Sequence, residues 1–215
     1  MEASVGAPAD VTGPSLRQYG EPVHATGAVL MLHGGKEHGH ETVDGRSASW
    51  RRSAAMARAI APDLQAAGVA VWLLRYRRRG WNGGAGPVGD ARWALEQVRD
   101  RLRSVPVVLV GHSMGARIAV RVADDAQVRG VVALAPWFPP GESVAPLAGK
   151  ALVAAHGSRD RITSAGATRA YVERARAAGI DASYVDMGPV GHYLLRGVRG
   201  WNDLALTGSR RLLGN

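Results

Sequence analysis

The chain has 215 residues, 46% of them hydrophobic and 21% charged, enough for one sizeable core and short for two domains. No apolar run approaches a membrane span, and Met1 to His24 lack the basic start and apolar stretch of a secretory signal, so a cytoplasmic chain without membrane insertion is expected. The absence of Cys excludes disulfides, a thiol nucleophile and thiolate metal sites.

The net charge of +9 is carried almost wholly by arginine. Those arginines are spread among Ala and Glu over several helical stretches, as on solvated faces. No aromatic-basic platform or reading helix stands out, so no nucleic-acid partner is expected.

Residues 1–14, rich in Ala, Gly and Pro, read as a loose arm ahead of a single domain, and residues 15–24 have room for one edge strand. Residues 28–32 form a short continuous apolar run, as in a strand buried on both faces. That run leads straight into His33-Gly34-Gly35-Lys36-Glu37-His38-Gly39-His40, and residues 36–49 read as a polar surface loop. Ser49 is the expected cap of a helix reaching Ala67, with Met56, Ile60 and Leu64 on one face and Gly68 as its stop. Pro62 predicts a kink or two shorter helices there.

A second buried strand spans 69–74, followed by a loop over 75–84 that carries Arg75, Arg77, Arg78 and Arg79. Asp90 reads as the cap of a helix with Ala91, Leu95, Val98 and Leu102 inward and Arg92, Glu96, Arg99 and Arg103 outward. Further strands are expected at 107–110, 131–135, 151–155 and 182–185. Helices are expected at 165–178, with Tyr171, Val172, Ala175 and Ala178 inward and Gly179 at the end, and around 204–213. Strands alternating with helices imply right-handed crossovers and a mostly parallel sheet covered on both faces.

The run at 107–110 turns through Gly111-His112-Ser113-Met114-Gly115 into a helix with Met114, Ile118 and Val122 on one side. Gly-x-Ser-x-Gly between a buried strand and a helix is the arrangement of a nucleophile elbow, in which small flanking residues let strand and helix approach. A serine hydroxyl needs a base to take its proton and an anion to orient that base. Asp160, just beyond one apolar strand, and His192, in the turn beyond the next, supply both at the strand ends where open α/β sheets gather ligands. Glu142 and Asp186 are weaker candidates for the acid, and His156 is a candidate base better suited to supporting its loop. The N–H groups of Met114 and Gly35 are the expected oxyanion donors.

With Leu32-His33-Gly34-Gly35, Gly111-His112-Ser113-Met114-Gly115, His156-Gly157-Ser158-Arg159-Asp160 and Gly191-His192, the chain resembles the α/β-hydrolase superfamily, specifically its small serine esterases, from Ala28 onward. Residues 33–40 resemble the oxyanion loop of monoacylglycerol-lipase-like enzymes. The resemblance implies an α/β-hydrolase fold with a mostly parallel sheet of six or seven strands. It implies acyl transfer to water through an acyl-enzyme on Ser113, with His192 as base and Asp160 as its partner, and no cofactor. Only the stretch 137–150 separates two strands where the family often inserts a lid, so no lid domain is expected. Dienelactone-hydrolase-like proteins are similarly compact, but their nucleophile is Cys.

The expected partner is a small carboxylic ester or thioester. A thioesterase or cyclase with the same triad and a non-catalytic binding module on the same fold are the alternatives. Trp137, Phe138 and Tyr193 are candidates for the pocket wall. The arginines at 75–79 are either an anion site or, as expected, a solvated surface. His33, His38 and His40 with Glu37 and Asp44 have irregular spacing and read as loop polarity, with no metal site.

Overall fold

The computed structural model describes residues 13–20, 22–103 and 105–214. Seven strands follow one another as β1 (Ser15–Gly20), β2 (Gly27–Leu32), β3 (Val69–Arg75), β4 (Val107–His112), β5 (Val128–Leu134), β6 (Ala151–His156) and β7 (Asp181–Asp186). They form one sheet in the order β1-β3-β2-β4-β5-β6-β7. Only β1 runs antiparallel, against β3; every other pairing is parallel. The edge strand expected within 15–24 is therefore present, and the sheet has seven strands. The arm expected at 1–14 falls almost entirely outside the described residues.

Five helices, α1 (Ala48–Ala66), α2 (Ala85–Leu102), α3 (Met114–Arg121), α4 (Ala165–Ala177) and α5 (Val198–Leu213), cover both faces. Alternation along the strands assigns each side chain to a face. Leu30, Leu32, Trp72 and Leu109 join one core with Leu95, Ile118 and Tyr171 from α2, α3 and α4. Val29, Met31, Val71 and Val108 join the other with Ile60 of α1 and Trp201 of α5. Between β5 and β6 there is a single 3-10 turn, Ala145–Leu147, so no lid covers the carboxyl ends of the strands. None of the described helices is long and apolar enough to cross a membrane.

Three helix starts and one helix end differ from expectation. α1 begins after Ser47 rather than Ser49, and it runs unbroken past Pro62. Both Pro62 and Arg58 face outward, so the Arg58 carbonyl that loses its partner to proline is left toward water. α2 begins a turn and a half before Asp90, behind Gly84 at φ 91. Asp90 is thus no cap but a buried side chain that accepts from the Arg77 backbone N–H (2.9 Å) and Nε (2.7 Å). α5 begins at Val198, well before 204, because Trp201 in its first turn is fully buried. Ala178 lies past the last turn of α4 and is exposed.

Glu142 is also structural. Its buried carboxylate accepts from Arg117 and Arg121, and the Arg117 guanidinium lies 4.0 Å from the Trp81 ring centroid and 4.5 Å from that of Trp137. Removing one partner of a buried ion pair leaves the other uncompensated. Glu142→Gln is expected to cost about 3 kcal/mol in urea unfolding; an unchanged midpoint would contradict this structural role.

Candidate active site

The elbow is built from close approaches. Ser113 stands between β4 and α3 at φ 55, ψ −118, outside the regions an L-residue favours, at a cost of about 1–3 kcal/mol. A Cβ on Gly111 would lie 2.4 Å from the Ala116 Cα, and one on Gly115 would lie 2.1 Å from the Leu32 carbonyl oxygen. Both glycines are required by contact rather than by φ.

Ser113 Oγ lies 2.9 Å from His192 Nε2, and His192 Nδ1 lies 2.8 Å from Asp160 Oδ2. Ser113 and His192 are buried, and the Asp160 side chain is 1% exposed. Asp160 Oδ1 accepts from the N–H groups of Ile162 (2.8 Å) and Thr163 (2.9 Å), an Asx turn in which the acid anchors its own loop. Its Oδ2 also accepts from Thr163 Oγ1 (2.9 Å) and faces His156 Nε2 at 3.0 Å. Burial alone would raise this carboxyl. The donors on His156, His192, Thr163 and Ile162 outweigh it and hold the group well below the usual carboxylate range, so Asp160 is an anion at any working pH. The His192 Nδ1 proton then belongs between the two residues, leaving Nε2 to accept from the Ser113 hydroxyl.

His156 is fully buried, with its other nitrogen 2.8 Å from Thr168 Oγ1, so it supports Asp160 and does not reach Ser113. Asp186 pairs instead with Arg169 at 3.1 Å on the surface. The part played by Thr163 was not read from sequence, although Asp-x-x-Thr after a strand is a local turn signal that would have found it.

Beside Ser113, His33 Nδ1 donates to the Gly34 carbonyl at 2.6 Å. A trans peptide points its N–H away from its C=O, so fixing the Gly34 carbonyl beneath the loop turns the Gly35 N–H outward. The N–H groups of Gly35 and Met114 have no acceptor among the described residues. A Cβ at Gly35 would lie 2.4 Å from both the Arg79 carbonyl oxygen and Met114 Cε, so only glycine brings these two segments together.

The polar loop expected over 36–49 lies at the surface, with 36–38, 40–42 and 44–46 exposed, and it ends where α1 begins. Arg79, Gly80, Trp81 and Asn82 exchange backbone hydrogen bonds with its residues Lys36, Glu37, Gly39 and Glu41, and Arg78 and Arg79 donate to the carbonyls of His40 and Thr42. Arg75 donates to Ser15 and Arg79 also pairs with Asp44. Of the arginines at 75–79, Arg78 and Arg79 brace the loop, Arg75 is tied to β1 and Arg77 to Asp90 of α2, so all four have partners within the chain. His33 is buried against Tyr76 while His38 and His40 are exposed; among the described residues no three potential ligands converge on a metal.

A cavity of about 150 Å³ opens beside Ser113, lined by Gly34, Gly35, Ala48, Arg52, Tyr193 and Leu195 among others. Of the three residues named for a pocket wall, Tyr193 lines this cavity. Trp137 and Phe138 do not: Trp137 packs on Arg117, and Phe138 is buried against Tyr171 at a ring separation of 4.0 Å. Arg52 was missed. Its guanidinium donates twice to the carbonyl of Leu194, at 3.1 and 2.8 Å, holding that residue at φ 55 and with it the loop that carries His192.

His112 Nε2 donates to the His192 carbonyl at 2.9 Å, and the two rings lie 5.0 Å apart. Burial, together with the neighbouring His192, lowers His112 to about 3; burial lowers His33 to about 4. Both stay neutral, so neither histidine opposes a charge developing on His192. In the unfolded chain each takes a proton near pH 6.5, so stability is full above that pH. It falls as pH drops, by about 1.4 kcal/mol per unit per histidine, until each folded value is reached. Asp160, shifted down, adds its own loss only below about pH 4. Urea midpoints should therefore decline steadily between pH 6.5 and 4.5 and decline less in His112→Gln; a flat profile would contradict the neutral assignments.

A family model for the α/β-hydrolase family matches residues 29–213, and the chain belongs to that family. No curated protein matches it. Among solved structures, an α/β serine hydrolase homologue from Coxiella burnetii is 17% identical with a TM-score of 0.73, covering 94% of each chain. A lidless α/β serine hydrolase from Xanthomonas campestris is 19% identical with a TM-score of 0.69, over 95% of this chain and 97% of that one. Esterase 2 of Thermogutta terrifontis, in a butyrate-bound structure, is 18% identical with a TM-score of 0.66, over 95% and 91%.

Proposed function

We propose that the protein is a serine hydrolase that cleaves small carboxylic esters through an acyl-enzyme on Ser113. The observation that carries this reading is the unbroken relay from Ser113 Oγ through His192 to Asp160, at 2.9 and 2.8 Å. As the Ser113 oxygen attacks the carbonyl carbon, its proton passes to His192 Nε2, and Asp160 stabilises the resulting imidazolium. The tetrahedral oxyanion is held by the N–H groups of Met114 and Gly35. Collapse expels the alcohol with the proton from His192, and water repeats the cycle to release the acid. The narrow cavity favours a short acyl group.

The test is hydrolysis of p-nitrophenyl acetate, butyrate and decanoate, with a fluorophosphonate adduct located by mass spectrometry. Butyrate is a natural choice of acyl group, since it has been seen bound to the Thermogutta esterase. A pre-steady-state burst, the adduct on Ser113 and preference for the shorter esters are expected. An adduct on Ser113 with turnover of thioesters alone would move the assignment to a thioesterase; no adduct and no turnover would leave a binding module.

A further inference from the structure

The arginines beside β3 are consumed by partners, but several others are not, and three of these share one place in the fold. Arg159, Arg161 and Arg196 are exposed, and their guanidinium groups have no partner among the described residues. All three line one hollow of about 500 Å³, together with Ser158, Pro189 and Gly191. The single carboxylate in its lining belongs to Asp160, which is turned inward onto His192 and His156 and so does not neutralise them. Three like charges gathered without a counter-charge raise the local potential and attract an anion.

The hollow is built rather than fortuitous. The Ser158 N–H and hydroxyl both donate to the Gly188 carbonyl, at 2.8 and 3.1 Å, and the Arg159 N–H donates to that of Val190 at 3.2 Å. A Cβ at Gly157 would lie 2.2 Å from the Val190 carbonyl oxygen, so the turn carrying Arg159 and Arg161 is pressed against the loop that leads to His192. The segment 191–196 is the wall shared with the catalytic cavity: Gly191 and Arg196 line the hollow, and His192, Tyr193 and Leu195 line the cavity.

We infer that Arg159, Arg161 and Arg196 form an anion subsite that seats a carboxylate or phosphate carried by the alcohol part of the ester. This rests on the serine-hydrolase reading above. The alcohol side is the one implicated because its oxygen must lie at His192 Nε2 to be protonated, and the hollow flanks His192. Guanidinium forks match both oxyanions, and hydrogen bonds to charged groups discriminate strongly.

The experiment compares two anionic competitors with a neutral one, the carboxylate and the amide being a near-isosteric pair. 3-Butyryloxypropanoate, 2-butyryloxyethyl phosphate and neutral 3-butyryloxypropanamide each compete with a fluorophosphonate for Ser113, in wild type and in R159Q/R161Q/R196Q. In wild type at low salt the anions should protect at about tenfold lower concentration than the amide. That advantage should shrink with added salt and vanish in the variant. The single Arg→Gln variants should lose it in steps, which covers the case of a misfolded triple variant. Equal protection by anions and amide, protection by none, or an advantage that survives the substitutions would overturn the subsite. Failure of the fluorophosphonate to label wild-type Ser113 would instead bring down the serine-hydrolase reading itself, and the subsite with it.

Discussion

Ser113→Ala is expected to lower kcat for p-nitrophenyl butyrate by about 10⁶-fold, with KM and urea midpoint close to wild type. Among the described residues the hydroxyl has one partner, His192 Nε2, and alanine tolerates φ 55 no worse than serine does, so nothing else in the fold should register the change. His192→Ala should lose about as much, and the double variant little more, because nucleophile and base act as a unit. Asp160→Asn should lose less activity, about 10⁴-fold, but carry a stability cost the other two lack. Its carboxylate collects donors from His156, His192, Thr163 and Ile162, and an amide in its place turns an N–H toward some of them. Steady-state kinetics paired with urea unfolding separate these patterns. A folded Ser113→Ala protein that keeps more than about a hundredth of wild-type activity would remove Ser113 as nucleophile.

The backbone of this site was legible because local rules write it. Continuous apolar runs mark strands buried on both faces, and glycines mark the places where two backbones meet, so β4, the turn at Ser113 and α3 follow from about ten consecutive residues. The order Ser113, Asp160, His192 then falls at three strand ends. What was not legible depends on partners distant in sequence. Asp90 has the form of a helix cap and is instead the buried counter-ion of Arg77. Trp137 and Phe138 follow β5 on the site side, yet each turns to a neighbour from another element, Arg117 or Tyr171. The charge runs misled most. Four clustered arginines in sequence are all engaged, whereas Arg159, Arg161 and Arg196, which are not consecutive, share one hollow. Clustering along the chain is a poor guide to unspent charge, because folding supplies partners from elsewhere.

Gly115→Ala should be among the most damaging single-methyl changes available to this chain. The added carbon would sit 2.1 Å from the Leu32 carbonyl oxygen and 2.6 Å from that of His33, both backbone atoms that cannot rotate away. Relief requires α3 to lift from the end of β2. Yet Leu32 is paired with Leu74 of β3 and Gly111 of β4, and α3 is fixed by the buried Met114, Ala116 and Ile118. Overpacking typically costs 1–3 kcal/mol when side chains can yield; here the backbone must, and about 4 kcal/mol or more is expected. Gly45→Ala, where no atom lies within 4 Å of the added carbon, is the matched control and should change stability little. The same displacement would carry His33 and Gly34 with it, so any Gly115→Ala protein that still folds should turn over poorly because the Gly35 N–H has moved from the oxyanion position. Reduced kcat for p-nitrophenyl butyrate, with Ser113 still labelled by a fluorophosphonate though more slowly, is the signature of that displacement. A variant as stable and as active as Gly45→Ala would mean that β2 and the elbow are not in the contact described, and the assignment of Gly35 as an oxyanion donor would lose its geometric basis.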